Sequence, residues 1–131
     1  MRQALKEAKK CLKTGDVPIG AVAVVDGKII ARAHNEKEKR NDATAHAELL
    51  CLQKAAKKLG TWRLYNVELY TTLEPCHMCK GAMVLARIKK LVYGTAAKKK
   101  ELNHKVKAVK GLMEEECTAL LKSFFKELRN N

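Results

Sequence analysis

Residues 69–83 read LYTTLEPCHMCKGAM, and this stretch decides how the rest of the chain is interpreted. Its first part is rich in β-branched and aromatic residues, which predicts a strand over about 66–72. Pro75 then stands in the first turn of a predicted helix over about 75–86, a position where proline is favoured. The strand-to-helix junction therefore carries Cys76 and Cys79 on one face of a helix N-terminus.

A second motif, TAHAE at residues 44–48, supplies the remaining candidate groups. His46, in the first turn of another predicted helix, is the third candidate ligand beside Cys76 and Cys79. Three protein ligands leave the fourth tetrahedral position open for water, which separates catalytic zinc from closed structural zinc. Because both cysteines begin a helix, its positive end should favour their thiolate forms. The sequence therefore predicts a catalytic zinc site.

Glu48 follows His46 by two residues, so it lies near the metal without being needed as a ligand. A carboxylate there can take a proton from the attacking water and return it to the departing group. This H-x-E and P-C-x-x-C combination is typical of nucleobase deaminases. The cysteine pair alone would also fit a redox pair or structural zinc. However, a redox pair needs neither His46 nor Glu48, and the candidates for a fourth zinc ligand, His77 and Cys51, are poorly placed.

The remaining sequence predicts alternating strands and helices. First come a helix over about 1–14 and two strands, over about 19–25 and 28–34, joined by an Asp26-Gly27 turn. A polar loop over 35–42 leads to a helix over about 44–59, which is capped by Asp42 or Thr44 and stopped by Gly60. After the strand and helix at 66–86, the sequence predicts strands over about 91–94 and 104–109 and a final helix. This order predicts one α/β domain over residues 1–131 with a single mixed five-stranded sheet. Both motifs fall where strands lead into helices, which is where chemistry collects in such sheets.

The chain is strongly basic. It has 27 Lys and Arg against 14 Asp and Glu, a formal net charge of +13 over 131 residues. Such a charge indicates a polyanionic partner such as nucleic acid, although a lysine-rich composition bias would look the same. The candidate patch consists of Lys98, Lys99, Lys100, Lys105, Lys107 and Lys110, opposed only by Glu101. No stretch has the apolar length of a membrane span or a secretory signal, so we expect a cytoplasmic protein.

Five cysteines without a secretion signal argue against a disulfide framework. Cys11, Cys51 and Cys117 fall on the apolar stripes of predicted helices, so we expect them to be buried thiols. The final helix is predicted to face the core through Cys117, Leu120, Leu121, Phe124, Phe125 and Leu128.

Taken together, several motifs resemble the bacterial tRNA adenosine deaminases, the TadA family. They are residues 69–83 with Arg87-Ile88, VPIGAV at 17–22, Asn35, TAHAE at 44–48, and ECTALL at 116–121 with Phe124-Phe125. The resemblance covers nearly the whole chain. It implies a three-layer α/β/α, cytidine-deaminase-like fold, a homodimer that binds zinc, and conversion of adenosine to inosine at the tRNA wobble position.

The resemblance also implies substrate contacts. By position, Asn35 matches the family's base-contacting asparagine, and the main chain at Ala47 would help to hold the base. Phe124 and Phe125 match aromatic residues of the C-terminal helix that lie near the RNA. From the residues alone, an asparagine after a strand is more often a turn residue, and at least one of the phenylalanines fits the core better.

The chain departs from the family pattern after Gly94. TadA proteins commonly continue with Arg-Asp and a long loop, whereas only residues 95–103 precede His104 here, and Ala97 stands nearest the expected aspartate. A crossover between parallel neighbouring strands normally needs about a dozen residues or more. The rest of the tail favours a parallel last strand, and an antiparallel one, as in free-cytidine deaminases, is the alternative.

Two other functions stay open at this point. One is a cytosine or guanine deaminase that acts on a free base, a nucleoside or single-stranded DNA. The other is a nucleic-acid-binding protein with an inactive zinc site, against which the presence of Glu48 argues.

Overall fold

The computed structural model describes residues 1–97 and 106–130, and within them a five-stranded sheet is flanked by helices. The strands are β1 (Gly20–Val25), β2 (Lys28–His34), β3 (Glu68–Leu73), β4 (Lys90–Thr95) and β5 (Ala108–Lys110). The helices are α1 (Arg2–Lys10), which continues into a 3₁₀ turn (Cys11–Lys13), α2 (Lys37–Arg40), α3 (Ala47–Leu59), α4 (His77–Ala86) and α5 (Glu114–Asn130). None of these described helices is long and apolar enough to cross a membrane.

The sheet is mixed, with strand order β2-β1-β3-β4-β5. Strand β1 runs antiparallel to both β2 and β3, whereas β3, β4 and β5 are parallel. The predicted mixed five-stranded sheet and the parallel last strand are therefore confirmed. The predicted strand over 104–109 is shorter, since β5 begins at Ala108, and its first predicted residues lie outside the described ranges.

The hairpin between β1 and β2 turns at the predicted dipeptide. Asp26 and Gly27 both have positive φ angles, of 49° and 77°. Two such residues in succession form the turn whose twist matches that of the flanking strands, and asparagine, aspartate and glycine tolerate this conformation best. The local sequence was therefore sufficient to define this turn.

Alternate residues of the strands face two different helix layers. Ala21 and Ala23 of β1 belong to the larger core, which α3 and α4 cover. The neighbouring Gly20 faces α1, where a Cβ atom would collide with the backbone of Ala4, so α1 lies unusually close to the sheet. Helix α5 packs on the same side as α1, with Cys117 against Gly94. The structure is therefore the predicted three-layer α/β/α sandwich.

The three predicted structural thiols are confirmed, because Cys11, Cys51 and Cys117 are all buried. The predicted core-facing stripe of α5 is wrong beyond Cys117. Leu120, Leu121 and Phe124 are only half-buried, and Phe125 and Leu128 are exposed. Helix α5 packs on β4 and β3, and all three residues of β5 at the sheet edge are exposed, so within the described residues only part of α5 is covered.

The helix starts differ from the predicted ones near the motifs. His46 is the N-cap of α3, whereas Asp42 accepts hydrogen bonds at 2.8 Å from both the backbone and the hydroxyl of Thr44 in an Asx turn. Cys76 is the N-cap of α4, so Pro75 precedes the helix rather than lying in its first turn. Residues 35–42, predicted to be a loop, contain the short helix α2. Gly60 ends α3 in the left-handed conformation, as predicted.

Candidate metal centre and active site

The three predicted ligands come from the starts of two neighbouring helices. His46 and Cys76 are both N-caps with extended backbones, and Cys79 lies in the first turn of α4. Nδ1 of His46 lies 3.6 Å from Sγ of Cys76 and 3.5 Å from Sγ of Cys79. Residues that are far apart in sequence therefore present their donor atoms to one point.

This spacing fits a tetrahedral metal ion. Zinc bonds of about 2.3 Å to sulfur and 2.0–2.1 Å to nitrogen place tetrahedral nitrogen and sulfur ligands about 3.5–3.6 Å apart. The three donor atoms lie within 4.8 Å of one another, and within the described ranges they form the one such His/Cys/Asp/Glu group. A neutral imidazole with two thiolates is a donor set that suits zinc.

The environment of His46 favours the form that binds metals. Burial and, to a smaller extent, the charge of Lys37 lower the pKa of His46, against a hydrogen bond to the backbone of Ala43 that raises it. Neutral imidazole is therefore the main form at neutral pH. A backbone partner of this kind also fixes the orientation of a ligating ring.

The cysteine environment differs from the sequence-based prediction. Cys79 is fully buried, and burial, followed by the nearby charge of Glu48, raises the pKa of its thiol far above the usual value. The helix N-terminus was expected to favour the thiolate, but without a cation desolvation outweighs that effect. A bound divalent cation would reverse the balance, because coordination deprotonates a thiol.

Glu48 lies in the first turn of α3 and is 3% exposed. Burial raises the pKa of its carboxyl to about 7, while hydrogen bonds to its own backbone and to the side chain of Cys79 lower it. Its Oε1 atom has no hydrogen-bond partner among the described residues. A buried carboxylate oxygen without a partner among the described residues, beside the predicted ligand Cys79, is suited to exchanging a proton with a reacting molecule.

The residues implied as substrate contacts are less clearly assembled. Asn35 is buried, and its side-chain amide donates to the carbonyl oxygen of Val17 at 3.2 Å and accepts from the backbone of Lys37 at 3.4 Å. Ala47 is fully buried at the start of α3, where backbone N–H groups have no acceptor within the helix. In the chain, Asn35 lies in the segment between β2 and His46, and Ala47 directly follows His46 at the start of α3.

Phe124 and Phe125 contact each other edge to face, with ring centroids 5.3 Å apart. Neither is buried in the core, so the prediction that one of them would be is wrong. Of the predicted basic patch, Lys107 and Lys110 are exposed, and the remaining members lie outside the described residues, as does His104.

Sequence reasoning missed Asp16, which is 1% exposed. Its carboxylate accepts hydrogen bonds from the hydroxyl of Thr14 and from the backbone N–H groups of Glu38 and Lys39. Asp16 thereby fixes α2, within the segment that joins β2 to His46. No local pattern reveals this role, because two of its three partners are more than twenty residues away.

Comparison with known proteins shows which family this chain belongs to. A family model described as MafB19-like deaminase matches residues 1–129. The tRNA-specific adenosine deaminase of Bacillus subtilis (strain 168) is 49% identical over 98% of this chain and 88% of its own length. The chain belongs to the tRNA-specific adenosine deaminase family. The resemblance to the TadA family is thus confirmed, and the chain is a deaminase.

Solved structures agree with this assignment. A chain from studies of A-to-I editing by tRNA:A34 deaminases at the wobble position of transfer RNA is 40% identical, with a TM-score of 0.86, and 92% of this chain aligns with 97% of that one. The guanine deaminase of Bacillus subtilis is 42% identical, with a TM-score of 0.68, over 72% of this chain and 61% of its own. The cytidine-deaminase-like fold and TadA membership are therefore supported by structure as well as by sequence.

Proposed function

We propose that the protein hydrolyses adenosine to inosine in tRNA, at the anticodon wobble position, with zinc held by His46, Cys76 and Cys79. The observation that carries this proposal is the convergence of three donor atoms beside the buried carboxylate of Glu48. A zinc ion at this point would supply a water-derived nucleophile at neutral pH.

Glu48 performs the proton transfers in this scheme. Its Oε1 atom accepts a proton from the attacking water as the new carbon–oxygen bond forms at C6 of adenine. The same carboxyl then protonates the exocyclic amine, so that the carbon–nitrogen bond breaks and ammonia leaves. Burial supports both steps, because it raises the pKa of this carboxyl and so helps it to hold a proton between the two transfers.

RNA is favoured as substrate on two grounds. The Bacillus subtilis relative at 49% identity is named a tRNA-specific adenosine deaminase, the solved structure at 40% identity comes from studies of tRNA:A34 deaminases, and this chain carries a net charge of +13. An anticodon loop presents its bases unstacked, so the enzyme avoids the cost of opening a duplex. Within this proposal Asn35 and the main chain of Ala47 hold the base, Phe124 and Phe125 lie near the RNA, and the protein acts in the cytoplasm.

We also propose that the enzyme works as a homodimer that pairs across the α3–α4 face. An open apolar groove of about 320 Å³ lies there, next to Trp62, which is 51% exposed and contacted by Arg63 at 4.4 Å. Because the chain is strongly positive, two copies would repel each other unless they met through a weakly charged face. The groove is lined by Leu49, Leu52, Gln53, Ala56, Trp62, Leu64, Ala82, Leu85 and Ala86.

The dimer is tested by light scattering after size-exclusion chromatography. Leu85, which is 75% exposed in this groove, is replaced in Leu85→Asp, and the matched control is Leu128→Asp on α5, where the leucine is 61% exposed. We expect a dimer for the wild type and the control and a monomer for Leu85→Asp. A monomeric wild type, or a dimeric Leu85→Asp variant, would contradict this interface.

The reaction is tested by mass spectrometry of a tRNA anticodon stem-loop after incubation with zinc-loaded protein. The expected product is one mass unit heavier at the wobble adenosine, since an amino group is exchanged for oxygen. Free guanine, cytosine and cytidine and a single-stranded DNA form the parallel panel, because the guanine deaminase relative makes a free base the leading alternative. Turnover of a free base with an unchanged stem-loop would overturn the RNA substrate.

A further inference from the structure

Two charged residues flank the cysteine ligands and contact each other. Glu74 lies two residues before Cys76, and Lys80 directly follows Cys79. Nζ of Lys80 lies 2.6 Å from Oε2 of Glu74, and the two side chains are only 21% and 10% exposed. This ion pair therefore closes a ring over residues 74–80 that contains both cysteines.

Glu74 also connects this ring to the neighbouring strand. Its Oε1 atom accepts a hydrogen bond from the backbone N–H of Ala97 at 3.1 Å. Its own backbone N–H donates to the carbonyl oxygen of Thr95 at 2.8 Å. Both carboxylate oxygens are thus used, one towards α4 and one towards the end of β4.

The two cysteines depend on this ring to different degrees. Cys79 is fully buried, and core packing holds its sulfur in place. Cys76 is exposed and sits at the N-cap of α4, where the core does not enclose it. The position of its sulfur is therefore set mainly by the conformation of residues 74–76, which Glu74 anchors at one end.

We propose that Glu74 and Lys80 are positioning residues that keep the sulfur of Cys76 at the distance from Cys79 and His46 that the metal requires. The inference rests on the proposed function, because it needs a metal ion at these three ligands. Glu74 and Lys80 act through the loop that bears Cys76, and neither is assigned a proton-transfer or substrate-binding role.

The test is the rate at which zinc-loaded protein gives up its metal to a chromogenic chelator. We expect release about tenfold faster in Lys80→Met and Glu74→Gln, since loss of groups that orient metal ligands typically weakens binding about 10- to 100-fold. Lys80→Met removes only the ion pair, because the hydrogen bond from the backbone N–H of Ala97 to Glu74 remains. Lys80→Arg restores a cation and should return the rate close to that of the wild type.

The chain offers a matched control in the pair formed by Lys10 and Glu7, also 2.6 Å apart, with Glu7 only 6% exposed. Lys10→Met and Glu7→Gln remove this pair on α1, away from the metal ligands. We expect wild-type zinc release from both, whatever their thermal stability. Cobalt-substituted protein adds a second readout, because the visible spectrum should change in Lys80→Met and stay unchanged in Lys10→Met.

Three outcomes would overturn the inference. The first is wild-type release and an unchanged cobalt spectrum in both Lys80→Met and Glu74→Gln. The second is equal acceleration in the control variants, which would indicate general destabilisation. The third is a wild type that binds no zinc, or a Cys79→Ala variant that binds zinc as tightly as the wild type. This outcome would overturn the proposed metal site too, so failure of the metal site can be distinguished from failure of the positioning role alone.

Discussion

The two helix layers of this protein differ in how completely they are packed. On the α3–α4 side, buried residues from both helices join the strands in one continuous core, and all three predicted metal ligands lie at helix starts in this layer. On the other side, α1 lies close to the sheet, but α5 buries only Cys117 among its 17 residues. The predicted active-site residues thus lie on the more completely packed side, while much of the C-terminal helix remains exposed.

The largest expected difference between the two sides concerns catalysis. Glu48→Gln on α3 should lower turnover by about 10²- to 10⁴-fold, because it removes the proposed proton-transfer group, while zinc content stays unchanged. Glu116→Gln on α5 replaces an exposed carboxylate and is the matched control. Turnover and bound zinc are measured on the same preparations, and a normal rate for Glu48→Gln would remove Glu48 from the mechanism.

Leucine truncation compares the packing of the two sides directly. Leu69→Ala removes a fully buried side chain from the α3–α4 core and should lower the free energy of unfolding by about 2–5 kcal/mol. Leu128→Ala on α5 removes one that is 61% exposed, so the change should stay within about 0.5 kcal/mol. Urea denaturation measures both, and similar losses would mean that α5 is covered in solution.

Helix α1 approaches the sheet closely at Gly20, so the α1–α5 side is tightly packed at this point. In Gly20→Ala the new Cβ would meet the backbone of Ala4, which cannot move without displacing the helix. We expect a loss of about 1–3 kcal/mol in unfolding free energy from this overpacking. A thermal melt of Gly20→Ala that matches the wild type would show that α1 is free to shift.

The smallest effect is a pH dependence of stability that involves α1. Burial raises the pKa of Glu7, but hydrogen bonds and charge from Lys10 and His34 outweigh it and leave the pKa below its usual value. The carboxylate therefore stabilises the fold above its unfolded pKa, and this contribution disappears as the pH falls through the lower folded value. Because Lys10 is 57% exposed, we expect no more than about 1 kcal/mol.

The measurement for Glu7 is the difference in unfolding free energy between the wild type and Glu7→Gln. This difference should be present at pH 7 and should shrink as the solution is acidified below the usual carboxyl range. A difference that grows on acidification would contradict the assigned direction of the pKa shift.

The sequence could predict the features that local motifs determine, and it failed where burial or distant contacts determine the structure. The motifs that predict the ligands and Glu48, and the periodicity that predicts the mixed sheet and the buried thiols, are local features of the sequence. The structure brings the predicted ligands together, and it buries all three thiols. The burial of α5 could not be predicted, because its apolar periodicity does not reveal how much of the helix packs against the sheet. The helix starts at His46 and Cys76 and the contacts of Asp16 likewise depend on distant residues.

The pKa of the Cys79 thiol also differs between the sequence-based prediction and the structure. The helix N-terminus predicts a stabilised thiolate at Cys79, but the completed fold buries this sulfur beside Glu48 and raises its pKa instead. Burial is a property of the packed chain, so sequence alone indicates the donor set without its protonation state. A bound divalent cation would favour the thiolate, because coordination deprotonates a thiol.

Zinc K-edge X-ray absorption of the zinc-loaded protein tests the central claim most directly. The proposed site predicts a first shell with two sulfur atoms at about 2.3 Å and lighter nitrogen or oxygen atoms at about 2.0–2.1 Å. Cys76→Ser should reduce the sulfur count from two to one. A first shell of four sulfur atoms, or one that contains no sulfur, would contradict the assignment of His46, Cys76 and Cys79 as the ligands of an open catalytic zinc site.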